Sequence, residues 1–143
     1  MSDILHDFKV KADPAAVYNA ITTPEGLDAW WTRRAKGAPT VGREYELWFG
    51  PSADWRARVT EAEPGRSFAL ELTRADEDWL GTRVGFTLTP SNGATMVRFS
   101  HTGWPSENAH FRTSSYCWAM YLRLLRRYAE AGDQVSYEER LAV

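Results

Sequence analysis

The chain has 143 residues and a net charge of −2, from 17 basic and 19 acidic side chains. Its 43% apolar and 25% charged residues are typical of one folded globular domain and exclude intrinsic disorder. The near-neutral charge gives no overall basic surface for nucleic acid or an anionic membrane. A single cysteine excludes an intramolecular disulfide.

The N-terminal residues lack the basic and apolar regions of a signal peptide, and no apolar run reaches the length of a membrane span. We therefore expect a cytoplasmic protein. Seven tryptophans stand out in a chain this short. Because a buried indole N–H requires a partner, so many tryptophans indicate an aromatic core, an aromatic pocket or an adhesive surface.

The chain begins with a predicted strand over 3–11, where apolar and polar residues alternate. Asp13-Pro14 and Thr23-Pro24 each combine a capping residue with proline at the first helical position. These signals predict a helix over 15–21 and a second short helix that ends at Trp31.

Five further strands are predicted after a loop over 36–42, because apolar and polar residues again alternate between turn residues. Pro90-Ser91-Asn92-Gly93 is a strong hairpin signal. The five strands cover 44–49, 55–63, 68–73, 82–89 and 95–101.

A long helix is predicted from Pro105-Ser106-Glu107 to Ala131, with Gly132 as its C-cap. The tail over 133–143 is mostly polar, with Tyr137 and Leu141 as its expected anchors. One apolar stripe along the helix is expected to be buried. Its members are Phe111, Ser115, Trp118, Leu122, Leu125 and Ala129.

Strands joined by short turns imply an antiparallel sheet, and one long amphipathic helix must cover its apolar face. The predicted fold is therefore a two-layer α+β domain over 1–132. A six-stranded sheet wraps around the long C-terminal helix, and two short helices follow the first strand.

Four segments of the sequence stand out: DPAAVYNAITTPEGL (13–27) with Trp30-Trp31, RVTEAEP (58–64), His101-Thr102-Gly103-Trp104, and Tyr116-Cys117-Trp118 leading to Leu122 and Leu125. Together they resemble the START-like (SRPBCC) superfamily, and most closely the bacterial relatives of the activator of the 90-kDa heat-shock protein ATPase. The resemblance covers about residues 4–132. It implies the helix-grip fold, with a cavity between a curved sheet and the long helix. Members bind apolar small molecules, act as co-chaperones, or catalyse cyclisations and hydrolyses.

The strand and helix phases assign residues to that cavity. Trp30, Trp31 and Trp104 fall at junctions near its mouth. Trp79 is expected either at the mouth or, with Trp48, on the surface as a partner contact. The expected walls are Phe8, Trp55, Val59, Leu70, Phe86, Phe99, His101, Trp118 and Leu122.

Three functions are compatible with this pattern. The first is a non-catalytic domain that binds an apolar or aromatic small molecule in the cavity. The second is an interaction protein, either a co-chaperone-like partner of the bacterial chaperone or a homodimer, and a cavity filled by its own side chains would favour it. The third is a cyclase- or hydrolase-type enzyme using His101 and Glu61, since the alternation turns Glu61 inward and Glu71 outward.

No metal or cofactor is expected. The spacing of the three histidines and Cys117 matches no zinc motif, and the chain contains no P-loop or dinucleotide-binding motif. A catalytic pair of Cys117 and His101 requires a hydrogen bond that the sequence alone does not show. The arginines of the long helix are expected to form a solvated face; they are Arg112, Arg123, Arg126 and Arg127.

Overall fold

Seven strands form one antiparallel sheet in the computed structural model, which describes residues 2–143. The strand order is β1-β7-β6-β5-β4-β3-β2, so the first two strands of the chain lie at opposite edges. The strands are β1 (Ser2–Val10), β2 (Arg34–Lys36), β3 (Glu44–Gly50), β4 (Ala53–Glu63), β5 (Ser67–Arg74), β6 (Arg83–Ser91) and β7 (Ala94–Trp104).

Three helices pack against the sheet and against one another. The predicted caps are confirmed: the Asp13 carboxylate accepts the N–H of Ala16 at 2.8 Å, and the Thr23 hydroxyl accepts the N–H of Gly26 at 3.0 Å. Within the described residues no helix is both long and apolar enough to cross a membrane. The helices are α1 (Pro14–Thr22), α2 (Pro24–Trp30) and α3 (Ala109–Ala131).

Gly26 explains part of the Thr-Pro-Glu-Gly-Leu segment. A Cβ at this position would lie 2.6 Å from the carbonyl oxygen of Ala20, a distance that no side chain tolerates. Because glycine has no Cβ, α2 folds back directly onto the end of α1. This close approach brings Trp30 over α1, where its indole N–H donates to the same Ala20 carbonyl at 2.9 Å.

The predicted α+β fold with an antiparallel sheet and a long C-terminal helix is confirmed. The predicted count of six strands is wrong, because β2 was missed. This strand has three residues and pairs Ala35 with Leu47 of β3. Three residues with one buried side chain are too few for an alternating pattern to be visible in the sequence.

The hairpin between β6 and β7 is tighter than predicted. Asn92 and Gly93 alone form the turn, with φ of +50° and +82°, and Ser91 pairs directly with Ala94. Two consecutive residues with positive φ form the two-residue hairpin turn that fits the twist of antiparallel strands.

The junction between β7 and α3 also differs from the prediction. β7 continues to Trp104, because Thr102 still pairs with Arg83 and Trp104 pairs with Ser2. The helix therefore begins at Ala109 rather than at 105, with the Asn108 side chain as its cap. Its C-cap is Gly132 in the left-handed conformation, as predicted.

Arg140 anchors the C-terminal tail, which forms a short 3₁₀ helix over Tyr137–Ala142. The residue is 2% exposed, and its guanidinium donates to the carbonyl oxygens of Val135, Thr32 and Asp28, the last at 2.6 Å. The last two carbonyls lie at the end of α2, where no helical partner is available.

The predicted anchors of the tail are only partly right. Leu141 is 77% exposed, so it does not anchor the tail. Tyr137 is half-buried, with its ring 6.5 Å from that of Phe49 and the Arg33 guanidinium over its face. The tail is therefore held mainly by the polar residue Arg140 and not by the apolar Leu141.

We expect Arg140→Ala to lower the free energy of unfolding by about 2–4 kcal/mol, because three carbonyl groups lose a charged donor. Urea unfolding followed by far-UV circular dichroism measures the change. Glu139→Ala, which alters an exposed side chain on the same 3₁₀ helix, is the matched control and should change stability by less than about 0.5 kcal/mol. Equal stability of the two variants would contradict this role for Arg140.

Candidate functional site

A continuous group of rings fills the region between the sheet and α3; we call it the aromatic cluster. Trp118 of α3 lies at its centre, with ring centroids 4.5 Å from Phe99, 5.3 Å from Trp31 and 5.8 Å from Trp79. Rings at these separations are in contact. The cluster consists of Trp30, Trp31, Phe49, Trp55, Trp79, Phe86, Phe99, His101, Trp104 and Trp118.

Trp30, Trp31 and Trp104 were predicted near the mouth of a cavity, but they lie inside the protein. They are 0%, 3% and 0% exposed. Trp31 and Trp30 stack on each other, and Trp104 packs against His101 at 4.9 Å. These three residues do lie at junctions between elements, as predicted, but the surrounding structure buries them.

Trp79 is the largest departure from the sequence prediction. It was expected at the mouth or on the surface, yet it is 8% exposed and touches Trp55, His101, Trp104 and Trp118. It lies on the loop between β5 and β6, outside any periodic pattern. Because the loop folds inward, the Trp79 indole reaches the centre of the cluster although it lies on neither a strand nor a helix.

Trp48 lies on β3, beside the edge strand β2, as the sequence suggested. Its ring is half-buried beneath the Arg34 guanidinium, which is 4.5 Å from the ring centroid. This cation–π contact covers the indole from the side of the sheet edge.

His101 is the central polar group of the aromatic cluster. The indole N–H of Trp118 donates to Nδ1 of His101 at 3.0 Å, so Nδ1 carries no proton. The proton therefore resides on Nε2, which lies 2.7 Å from the Thr82 hydroxyl. That hydroxyl donates to the carbonyl of Trp79 at 2.6 Å. Both ring nitrogens are thus occupied within the protein.

Burial strongly disfavours the charged form of His101. Desolvation, with a smaller effect of the positive charge on His110, lowers the pKa of His101 to about 3. A neutral imidazole whose two nitrogens are both hydrogen-bonded has no free position for a substrate. His101 therefore fixes the positions of Trp118 and Thr82.

Glu61 does not face the cluster, so the inward orientation predicted for it is wrong. Its side chain is 47% exposed and accepts from Arg83 at 3.2 Å. A bulge explains the error: Val59 pairs with Leu70, but Glu61 pairs with the next residue, Ala69. One extra residue in the strand reverses the alternation beyond it. Glu61 and His101 consequently do not form an acid–base pair.

Cys117 is half-buried on α3, next to Trp118. It forms no pair with His101, because the two nitrogens of that ring are bonded to Trp118 and Thr82. Within residues 2–143 no three His, Cys, Asp or Glu side chains stand close enough together to hold a metal ion. His110 instead bonds Asp78 at 3.0 Å.

A groove of about 250 Å³ opens between the edge strand β1 and α3. Phe8 and Leu122, both predicted cavity residues, form part of its apolar surface together with Ala119. Arg123 and Arg126 lie along its α3 side. His6 also lines it, with a buried Nε2 that has no hydrogen-bond partner in the described structure, and its ring stacks on Phe99.

Two of the five further buried polar atoms without partners in the part of the chain that is described lie in the aromatic cluster. They are the indole N–H groups of Trp79 and Trp104, which both pack around His101. Leaving such a donor unsatisfied costs about 1–3 kcal/mol. These orphaned donors mark the region of the aromatic cluster where hydrogen bonding is incomplete.

The model of the family described as Activator of Hsp90 ATPase homolog 1-like protein, AHSA1, matches residues 11–130, which is well over half of the chain. The chain belongs to the AHSA1 family. This confirms the resemblance to the START-like superfamily and its bacterial AHSA1-related branch. A comparison with curated proteins gives no match.

Solved structures share the fold of this AHSA1 domain. The solution structure of an Aha1 dimer from Colwellia psychrerythraea is 31% identical, spans 92% of this chain and 98% of that one, and has a TM-score of 0.83. Protein SSP2350 from Staphylococcus saprophyticus is 17% identical over 94% and 96%, with a TM-score of 0.79. CalU16 from Micromonospora echinospora is 17% identical over 91% and 77%, with a TM-score of 0.74. The last two are similar in fold alone.

The AHSA1 match covers the aromatic cluster but leaves out two features described above. It begins at residue 11, after β1, and ends at residue 130, before the tail. The β1 side of the groove and the Arg140 anchor therefore belong to this chain beyond the matched segment.

The buried His101 makes the stability of this AHSA1 domain depend on pH. Its pKa is about 3 in the folded state and ordinarily about 6.5 when unfolded. Between these values the unfolded chain binds the extra proton, so stability is present at neutral pH and is lost as the pH falls. As the pH falls, the contribution of His101 to the free energy of unfolding declines by up to about 1.4 kcal/mol per pH unit.

His101→Gln removes this titration while keeping a donor and an acceptor. We expect the stability advantage of the wild type over this variant to shrink steadily between pH 6 and pH 4, as measured by urea unfolding. If the free energies of unfolding of the wild type and of His101→Gln changed with pH in parallel, His101 would not titrate in this way.

Proposed function

We propose that this protein binds a small, mainly apolar molecule with an anionic group in the groove between β1 and α3, without chemical conversion. The groove supports this proposal because it combines an apolar surface with two cationic side chains. Pockets for small molecules typically pair apolar walls with a few polar groups that fix orientation.

The size and lining of the groove limit the ligand. Its volume of about 250 Å³ lies just below the usual range of roughly 300–1,000 Å³ for ligand pockets. Phe8 and Leu122 offer contact to a flat ring or a short acyl chain. A ligand with one or two rings, or a short-chain acid, fits this space.

The charges of the groove favour an anion. Arg123 and Arg126 lie one turn apart on α3, are exposed, and make no ion pair with any described residue. Asp7 also lines the groove, but its carboxylate lies 3.7 Å from Arg98. A carboxylate on the ligand would gain two guanidinium partners.

The state of the aromatic cluster supports binding at this groove more than in the centre of the protein. The predicted wall residues Trp55, Val59, Leu70, Phe86, Phe99 and Trp118 pack into the core formed by the sheet and α3. Phe8 and Leu122 are the two predicted ligand contacts that line the groove. The remaining predicted contacts stay proposals for a ligand that reaches deeper.

Binding of 2-naphthoate tests the proposal. We expect it to quench tryptophan fluorescence and to bind at least about fivefold more tightly than the neutral 2-naphthamide, because guanidinium groups favour the carboxylate. The double variant Arg123→Gln/Arg126→Gln should remove this preference.

Arg127→Gln is the matched control, since Arg127 is on the same helix but pairs with Asp133. It should bind both probes like the wild type. Identical affinity of the double variant and the wild type for 2-naphthoate would contradict the assignment of the groove.

A second candidate function is self-association, which one exposed patch favours. Tyr116 of α3 is 82% exposed, and Leu141 and Val143 of the tail are 77% and 56% exposed beside Met120. An exposed apolar patch of this kind commonly marks a protein interface. The related structure from Colwellia psychrerythraea is a dimer. A chaperone partner and a cytoplasmic location stay predictions that rest on the family resemblance and the sequence.

We expect Tyr116→Asp to shift the protein from dimer to monomer, because the patch would gain a desolvated charge at its centre. Sedimentation velocity over a tenfold concentration range measures the change. Val41→Asp, at an exposed apolar side chain elsewhere, should leave the oligomeric state of the wild type unchanged. A monomeric wild type at every concentration would dismiss this candidate.

A further inference from the structure

We propose that two copies of this protein exchange their tails, residues 133–143, in a domain-swapped dimer. In this dimer Arg140 of the partner subunit binds the carbonyl groups at the end of α2, and the reverse contact is made by symmetry. The inference rests on the self-association candidate above and deepens it, because it names the segment that each copy contributes to the other. It does not involve the groove between β1 and α3.

The tail is held to the body of the protein mainly by one side chain. Within the described residues 133–143, Arg140 alone is buried, two residues are half-buried and the others are exposed. The ion pair of Glu138 with Arg33, at 2.9 Å, joins side chains that are 64% and 40% exposed, so it contributes little. A segment with so little buried surface detaches without disturbing the core.

The hydrogen bonds of Arg140 divide into one within the tail and two to the body. Its Nε donates to the carbonyl of Val135 at 2.9 Å, and both residues belong to the tail. Its terminal nitrogens donate to the carbonyls of Thr32 at 3.2 Å and Asp28 at 2.6 Å. The bond to Val135 orients the guanidinium and moves with the tail. The site at the end of α2 is therefore formed by backbone groups that accept the same arginine from either copy.

The joint between α3 and the tail has the properties of a hinge. Gly132 ends α3 with a φ of +73°, and nothing lies within 4 Å of the position that a Cβ would take. In the described structure residues 133–136 form neither helix nor strand. Four extended residues span about 13–14 Å, which is enough to reach a copy that contacts α3. A backbone change at this joint redirects the tail from its own α2 to that of the partner subunit.

The tail also packs loosely against its own body. A cleft of about 390 Å³ lies between the two, lined by Asp28 and Thr32 on one side and by Gln134 and Ser136 of the tail on the other. Closely packed interiors leave few spaces larger than a water molecule, so this contact is not packed like a core. Little packing is lost when the tail leaves its place.

Apolar side chains beside the anchor favour exchange over docking within one copy. Leu141 follows Arg140 directly and is 77% exposed, and together with Val143 it borders Tyr116 and Met120 of α3. In a single copy much of this apolar surface stays in water. In the swapped dimer the two tails cross beside both α3 helices, so the apolar side chains become buried between the copies. Exchange keeps the bonds of Arg140 and adds these contacts.

The added contacts are needed because docking within one copy has an entropic advantage. A short connection gives the tail an effective concentration of about 1 mM at its own α2. Without new contacts the swapped dimer would form only near that protein concentration. The apolar contacts lower the dimer Kd below it, and a hinge too short for internal docking lowers it further.

Cross-linking between two differently marked copies tests the exchange. In a Cys117→Ser background, one chain carries Glu138→Cys in the tail and the other carries Arg33→Cys beside α2, because these side chains meet at 2.9 Å. Each chain then has a single cysteine, so a short bismaleimide joins cysteines only between copies. We expect the cross-linked heterodimer in at least about fivefold excess over either homodimer.

Arg140→Ala should give an asymmetric result in this mixture. In the chain with Glu138→Cys it removes the anchor of the tail that is cross-linked, so the heterodimer should fall at least about fivefold. In the chain with Arg33→Cys it leaves the α2 site open for the tail of the other chain, so the heterodimer should not fall. An equal loss in both arrangements would contradict the exchange.

A shortened hinge tests the proposal without changing Arg140. Deleting Asp133 and Gln134 removes about 7 Å of chain, so the tail no longer reaches its own α2 and docks on the partner subunit. We expect the dimer Kd from sedimentation velocity to fall at least about tenfold. The control Asp133→Ala/Gln134→Ala removes the same side chains at full hinge length and should behave like the wild type.

The outcomes separate the exchange from the self-association candidate. A wild type that dimerises, becomes monomeric as Tyr116→Asp and gives no excess of heterodimer would overturn the exchange alone. An equal dimer Kd for the shortened chain and its control would do the same. If the wild type and the shortened chain were both monomeric at every concentration, the exchange and the self-association candidate would both be wrong.

Discussion

A chain of hydrogen bonds through His101 determines how the two layers of this protein fit together. It runs from the indole of Trp118 on α3, through the imidazole on β7 and the Thr82 hydroxyl, to the backbone of Trp79. Each donor has one acceptor, so the chain fixes a single tautomer and a single arrangement of the rings around it. The aromatic residues add buried area and ring contacts, but these hydrogen bonds determine which face of α3 packs against the sheet.

That arrangement also explains why the site differs from the one that the fold alone suggests. A sheet that wraps around a helix leaves room for a cavity, but this chain places indoles there. Open space next to the cluster remains at the edge of the sheet, where α3 lies beside β1, a strand with a neighbour on one side only. The groove described above occupies this space.

The sequence predicts the residues whose positions depend on local periodicity. The phases of β7 and α3 correctly turned Phe99, His101 and Trp118 inward, because every second strand residue and every third or fourth helix residue face the same side. The phase predicted the wrong orientation for Glu61, because a bulge adds one residue to β4. No turn residue in the sequence indicates this bulge. The phase predicts no orientation for Trp79, because side chains on a loop follow no regular repeat. The filled centre could not be predicted either, since ring packing depends on contacts between distant segments.

The Arg140 anchor has a consequence for how the protein folds during synthesis. The carbonyls at the end of α2 are bound by Arg140, which lies 108 and 112 residues later in the sequence. The edge strand β1 likewise gains its neighbour only when β7 has been made. Contacts between residues this far apart in sequence form slowly, and a growing chain cannot make them early. The end of α2 and the edge strand β1 therefore gain these contacts only after Arg140 and β7 have been synthesised.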